Sequence, residues 1–250
     1  MQITLDAALA IAFVLVLVRA TVFVFIAPPF NTSGLPVAVK AGLAATMALA
    51  IAPSVPATSL SLDAGPFFGA LITQAFVGLA MALTMLLLLS AVQSAGAVID
   101  IFAGFSLAAI YDPLSGNTTS VFGRFYQLLA TTLIFATNGH ILIIRGFVES
   151  FRVVPATTYD PAAMAHLLTL NFSRLFVASL EIAGPVIACL FIAELAMGLL
   201  ARAAPSLNVF ALAFPVRVGV TLLVVALAVP LIAPAVTNLI TEGARAMVGV

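Results

Sequence analysis

Charge is what this 250-residue sequence has least of: nine basic and nine acidic side chains, together 7% of the chain. A soluble domain carries about 25% charged residues, because its surface must be hydrated. So few charges cannot coat a globule of this size, which excludes a water-soluble protein. Disorder is excluded by the opposite property, since 64% of the residues are hydrophobic and the net charge is zero. No basic run exists, so there is no electrostatic footprint for nucleic acid. Cysteine is nearly absent too. Cys189, in the apolar run Ile182–Ala193, cannot form an internal disulfide and is expected to be a small packing residue. With two histidines and no Cys/His cluster, no metal site is expected.

What remains is apolar, with a mean hydropathy of +1.28. The opening Met1-Gln2-Ile3-Thr4-Leu5-Asp6 lacks the basic region of a cleavable signal peptide, so the first apolar run is expected to be a retained membrane segment. The runs are rich in Ala, Leu and Val without strict alternation, which disfavours an outer-membrane β-barrel. The fold class is therefore an all-α integral membrane protein, read as a single membrane domain over 1–250 and located in the inner membrane.

Proline, glycine and charge divide the chain into about six apolar helical stretches: 5–27, 36–52, 66–99, 124–144, 172–200 and 209–240. The third is too long. Its 34 residues would extend roughly 51 Å as a helix, against a hydrocarbon core about 30 Å thick. It must tilt strongly, break, or bury its excess against protein. The second is short for a span. Six spans would set Arg145, Arg152, Arg174 and Arg245 against Lys40, Arg124 and Arg202, a balance that decides no orientation. Small residues recur at helix-packing spacing in Gly42/Thr46/Ala50, Gly78/Ala82, Ala91/Ala95 and Gly184/Ala188, suiting either generic packing or a subunit interface.

Charges inside apolar stretches need a reason. The candidates are Arg19, Asp100, Glu181, Glu194 and Arg217. They either pair with one another, with backbone or with a neighbouring subunit, or they form an ion relay. Glu181 and Glu194 lie about 20 Å apart along a helix and on different faces, so they share no site. Neither histidine has a catalytic setting: His140 follows Asn138-Gly139, and His166 follows Asp160-Pro161, which reads as an N-cap and first helical residue. No nucleophile elbow, phosphate loop or metal-ligand spacing occurs, so the chain is not expected to be an enzyme or to hold a cofactor.

The segment Asp100–Arg124 stands apart. An apolar half containing Phe102, Gly104, Phe105, Ser106 and Leu107 leads into Tyr111-Asp112-Pro113 and Ser115-Gly116-Asn117, followed by hydroxyls able to cap the next helix. An apolar loop in a membrane protein must be buried in protein or line a cavity. An ordinary connection and a re-entrant, pore-closing loop both remain open on these grounds.

Four blocks then carry a resemblance. They are Pro28-Pro29 with 35–43 and Ile51-Ala52-Pro53; Gly104-Phe105-Ser106 with Tyr111-Asp112-Pro113; Thr137-Asn138-Gly139-His140; and 202–210 with Phe214-Pro215-Val216-Arg217. In this order, over nearly the whole chain, they resemble the FliR/SctT family of type III export gate proteins. The Asn-Gly-His block points to the flagellar branch. The resemblance implies bent helical hairpins in a hetero-oligomeric channel with FliP, FliQ and FlhB, in the flagellar basal body. Unfolded flagellar subunits would pass through it. It also implies a plug loop that includes Phe102, Gly104, Phe105, Ser106, Leu107, Tyr111, Asp112, Pro113, Gly116 and Asn117. Asn138, Gly139, His140, Arg202, Pro205, Asn208, Phe210, Pro215 and Arg217 would hold subunit contacts, the last block reading as a turn between two helices. A small polytopic secondary transporter is the alternative, motivated by broken apolar stretches and intramembrane charges.

Overall fold

The computed structural model describes residues 2–32, 34–55, 64–105, 120–153, 161–204 and 209–248. Among them there are only helices, turns and a one-turn 3₁₀ segment. The helices are α1 (Gln2–Ile26), α2 (Val37–Ile51), α3 (Ala64–Ala103), α4 (Val121–Ala136), α5 (Gly139–Val153), α6 (Pro161–Ala203) and α7 (Val209–Val248). Five stretches are long and apolar enough to cross a membrane, one of them α2 together with the 3₁₀ turn Ala52–Ser54, and they become six if the bent pair α4–α5 is one span. The protein is an all-α integral membrane protein.

The over-long third stretch is one unbroken helix of 40 residues, about 60 Å at the usual rise. Ala and Leu dominate it, and these residues lose little on becoming helical. Its only proline, Pro66, lies in the first turn, where an amide has no intrahelical partner to lose. Of the three options for its excess length, breaking is removed; in its apolar 18-residue window 61% of the residues are buried within the chain, against 22% in those of α6 and α7. The fourth stretch behaves in the opposite way. It breaks at 137–138, turning by 75° from α4 into α5. The fifth stretch is the C-terminal part of a 43-residue helix whose first residue is Pro161, the helix start read from the sequence. Pro185 lies within α6, and Pro215, Pro230 and Pro234 lie within α7.

The described residues fall into two compact units. The first comprises 1–88, 134–172 and 239–250. Its core includes Leu15, Phe23, Met81, Met85, Ile143, Phe147 and Ile240, all fully buried. The Phe23 and Phe147 rings stack with centroids 4.9 Å apart. Gly78 lets α1 and α3 meet backbone to backbone, since a β-carbon there would come 2.7 Å from the Arg19 carbonyl oxygen. The second unit comprises 89–133 and 173–238, with Val92, Ala95, Ile99, Tyr126, Ala183, Val186 and Val236 buried.

The small-residue pairs divide accordingly. Ala82, Ala91 and Ala95 are buried inside the chain, as generic packing requires. Gly42, Thr46, Ala50 and Ala188 are exposed, and a β-carbon at Gly42 or Gly184 would meet nothing within 4 Å. Cys189 corrects its expectation: it is exposed, because it faces away from the buried line Ala183, Val186 and Leu190.

Candidate functional site

The segment Asp100–Arg124 is organised by Asp100, which is only 3% exposed. Helix α3 ends in a Schellman motif: the Phe105 amide donates to the Asp100 carbonyl (3.0 Å) and the Gly104 amide to that of Ile101 (3.2 Å). This closure needs the left-handed conformation that Gly104 adopts, with φ at +83°. The Asp100 side chain works in the other direction. Its carboxylate accepts from the Phe122 amide, 3.2 and 3.0 Å from its two oxygens, and from the Ser120 hydroxyl. Ser120 in turn caps α4, its Oγ accepting from the Gly123 amide at 2.8 Å. Residues 105, 120 and 122 are thus all bound to one aspartate. The Phe105 ring then packs edge-on against Phe122, 5.6 Å between centroids.

Arg217 joins this cluster from α7. It donates to Glu194 Oε1 on α6 at 2.5 Å, and its Nη1 would stand 3.3 Å from a β-carbon at Gly104. The ion pair borders a cavity of about 250 Å³ between α6 and α7, whose walls include Leu190, Met197, Gly198 and Ala213. Gly104 and Arg217, assigned by sequence to two different motifs, therefore meet. So do two of the charges singled out for pairing, Glu194 and Arg217.

The remaining candidates are more dispersed. Phe102 is 46% exposed on the last turn of α3. Asn138 and Gly139 form the corner between α4 and α5. Asn138 takes a left-handed φ of 58°, and its amide donates to the Phe135 carbonyl at 3.2 Å. Gly139 is buried, and a β-carbon there would strike Ile240 Cδ1 at 2.7 Å. His140 lies beside Phe135 at 5.2 Å, and its buried Nδ1 has no hydrogen-bond partner among the described residues. Arg202 is exposed in the last turn of α6. Pro215 and Arg217 are helical within α7 and Arg202 is helical within α6, which corrects the turn expected over 202–217 at these three positions. Ser106, Leu107, Tyr111, Asp112, Pro113, Gly116, Asn117, Pro205 and Asn208 lie outside the described residues, as does the Phe210 side chain.

A second polar site surrounds Arg19 in the first unit, at 0% exposure. Its Nε donates to Gln74 Oε1 (2.7 Å), its Nη1 to Ser150 Oγ (3.1 Å), and its guanidinium lies 4.0 Å from the Phe151 ring centroid. Phe147, Ser150 and Phe151 share a face of α5 through i, i+3, i+4 spacing. Gln74 reaches Arg19 because Gly78, one turn on, permits the close approach of α3. Sequence reading flagged Arg19 but missed Gln74, Ser150 and Phe151. Nothing in the sequence pairs residues 55 or 131 positions apart. Ser120 was foreshadowed only as one of a run of hydroxyls.

Residues 10–243 match the family described as bacterial export proteins, family 1. The flagellar biosynthetic protein FliR of Escherichia coli K12 is 34% identical over 90% of this chain and 87% of its own length. FliR of Bacillus subtilis 168 is 29% identical over 91% of this chain and 89% of its own. The Yop proteins translocation protein T of Yersinia pestis is 25% identical over 72% of this chain and 71% of its own. A match across almost the whole chain, supported by a relative above 30% identity, leaves one assignment: the chain belongs to family 1 of the bacterial export proteins, the FliR/SctT family.

Proposed function

We propose that this chain is a channel subunit of the flagellar type III protein export gate in the bacterial inner membrane, passing unfolded flagellar subunits. The observation that carries the reading is the family match over residues 10–243, joined by relatives named for flagellar biosynthesis and Yop translocation. Helix length supports it. Helices α3, α6 and α7 have 40 or more residues, about 60 Å or longer, twice the hydrocarbon thickness. Helices of that length suit a subunit whose excess is packed against other proteins rather than lipid. These relatives do not favour the small secondary transporter.

On this reading the chain is a conduit and not a catalyst, and it assembles with FliP, FliQ and FlhB. Its plug is the segment that includes Gly104–Asn117, whose flanks are drawn together at Asp100. Its contacts with neighbouring subunits run through the 138–140 corner and the 202–217 block.

The test is to purify the tagged protein from membranes in mild detergent and identify what accompanies it. Recovery of FliP and FliQ in one large complex is expected. A lone monomer or homodimer, from cells shown to make both partners, would overturn the assignment. Removing residues 104–117 should leave that complex assembled but leaky to small ions; a deletion complex as tight as wild type would refute the plug.

A further inference from the structure

The end of α3 and the start of α4 are joined at successive levels, all inside the second unit. The first is a contact of backbones. A β-carbon at Gly96 would overlap the Phe122 carbonyl and stand 2.7 Å from the Gly123 nitrogen. One at Gly123 would overlap Ser120 Oγ and stand 3.3 Å from the Gln93 carbonyl oxygen. Both glycines are buried, so the two helices meet there with no side chain between them. One turn further along α3, the Asp100 carboxylate accepts from the Phe122 amide and the Ser120 hydroxyl. Beyond it the Asp100 carbonyl accepts from the Phe105 amide, and the Phe105 ring closes on Phe122.

Parting the two helices would break every level at once. The glycine contact has no side chain able to turn and fill the gap, so its dispersion energy would be lost outright. Phe122 is the second residue of α4, where an amide has no intrahelical acceptor, and Asp100 supplies one. The carboxylate also lies at the positive end of the α4 dipole. Separation would strand a buried carboxylate and an unpaired amide together, which an apolar setting penalises heavily. Elements that open in use are drawn from regions with few buried contacts, and this junction is the reverse. It is also held from outside: Arg217, itself bound to Glu194, stands over Gly104.

We propose that Asp100 is a positioning residue whose clasp stays shut while the protein works: Phe105 and Ser120 remain joined whether or not a polypeptide is passing. The competing arrangement is a hinge, in which α3 and α4 spread and the Asp100 bonds break at each opening. The two differ in what Asp100 is for, a permanent fastening in one and a release in the other. The proposal deepens the export-gate reading and rests on it for the traffic that the experiment measures.

The test replaces the polar clasp with a covalent one in the assembled complex. Asp100→Cys and Ser120→Cys are introduced together with Cys189→Ala, and the pair is oxidised in membranes; the side chains they replace touch, so a disulfide is expected to form. Oxidised cells should secrete flagellar subunits within about twofold of wild type, because no step requires the ends to part. A hinge predicts a loss of at least about tenfold, reversed by a reductant, and that result would overturn the proposal. Ion leakage gives the second readout, at equal amounts of assembled complex. The reduced pair should leak more than wild type, and oxidation should restore tightness. A reduced pair as tight as wild type would show that Asp100 positions nothing. If the cysteines impair assembly, Phe105→Cys with Phe122→Cys, bridged by a short bis-thiosulfonate spacer, leaves Asp100 and Ser120 intact. Continued secretion then upholds the clasp and arrest overturns it. Arrest by the staple in cells where the wild-type chain supports secretion would sink the clasp alone. Flagellar secretion that persists when the whole chain is deleted would sink the export-gate reading, and the leakage comparison would still decide the clasp.

Discussion

Arg217 lies against Gly104, with its Nη1 placed 3.3 Å from where a β-carbon at that position would stand, while its guanidinium holds Glu194. Two constraints therefore meet at Gly104: a left-handed backbone and a cationic side chain packed over the Cα. Gly104→Ala should destabilise the folded chain by about 1–2 kcal/mol, from the left-handed penalty for a residue with a β-carbon. Gly104→Asn should cost less, because asparagine tolerates that region. Thermal unfolding of the purified assembly reads the order Gly, Asn, Ala. An alanine variant as stable as wild type would mean that the Schellman closure at 104 is not maintained.

Asp100 serves the chain on both sides of the intervening segment, through its carbonyl to Phe105 and through its carboxylate to Ser120 and Phe122. Asp100→Ala leaves the Phe122 amide without its acceptor, at about 1–3 kcal/mol. Asp100→Asn keeps one oxygen and should fall between wild type and alanine. Ser120→Ala removes the α4 cap and should cost about 1 kcal/mol. The double variant Asp100→Ala/Ser120→Ala should cost less than the sum, since the two side chains bond each other. Strict additivity in thermal shifts would show that they act independently.

Arg19 is held by geometry as much as by charge, with Gln74 and Ser150 in line with its nitrogens and the Phe151 ring against its plane. Arg19→Lys keeps the charge but loses the fork and the flat stacking surface. It should reduce thermal stability measurably, and Arg19→Ala should reduce it further, by about 3 kcal/mol or more. Equal stability of the lysine and wild-type proteins would show that only the charge matters.

At the α4–α5 corner, Asn138 and Gly139 make opposite predictions. Asn138→Gly should be neutral or slightly stabilising, because glycine adopts a φ of 58° without strain, whereas Asn138→Val should be harmful. Gly139→Val should be worse still, since the added carbons meet Ile240 Cδ1 at 2.7 Å and the Ile134 carbonyl oxygen at 3.2 Å. The amount of chain accumulating in membranes orders the variants. Tolerance of Gly139→Val would mean that Ile240 does not pack on the corner.

Much of this was legible in the sequence because it depends on local, one-dimensional quantities. A low charge fraction with long apolar runs dictates membrane helices whatever their arrangement. The excess length of α3 follows from counting residues between Pro66 and Asp100. The α6 start at Pro161 follows from proline's missing N–H, which costs nothing in the first turn. Even the corner at 138–139 was marked by its motif. Its 75° bend was not, because the motif does not say which way two apolar helices will pack. Prolines 215, 230 and 234 lie inside the stretch read as 209–240, and α7 runs through all three.

The chain's composition and order of motifs thus determined its solvent, its helices and its family, since each is written in neighbouring residues. Only the tertiary structure decided which charges meet and which stand alone. Arg19 finds neutral partners 55 and 131 positions away, Arg217 finds Glu194 and the open side of Gly104, and Asp100 turns inward as a cap. Glu181 finds no partner among the described residues. The physical reason is that a buried polar group takes whichever partner packing brings within about 3 Å. Distance along the chain has no part in that choice.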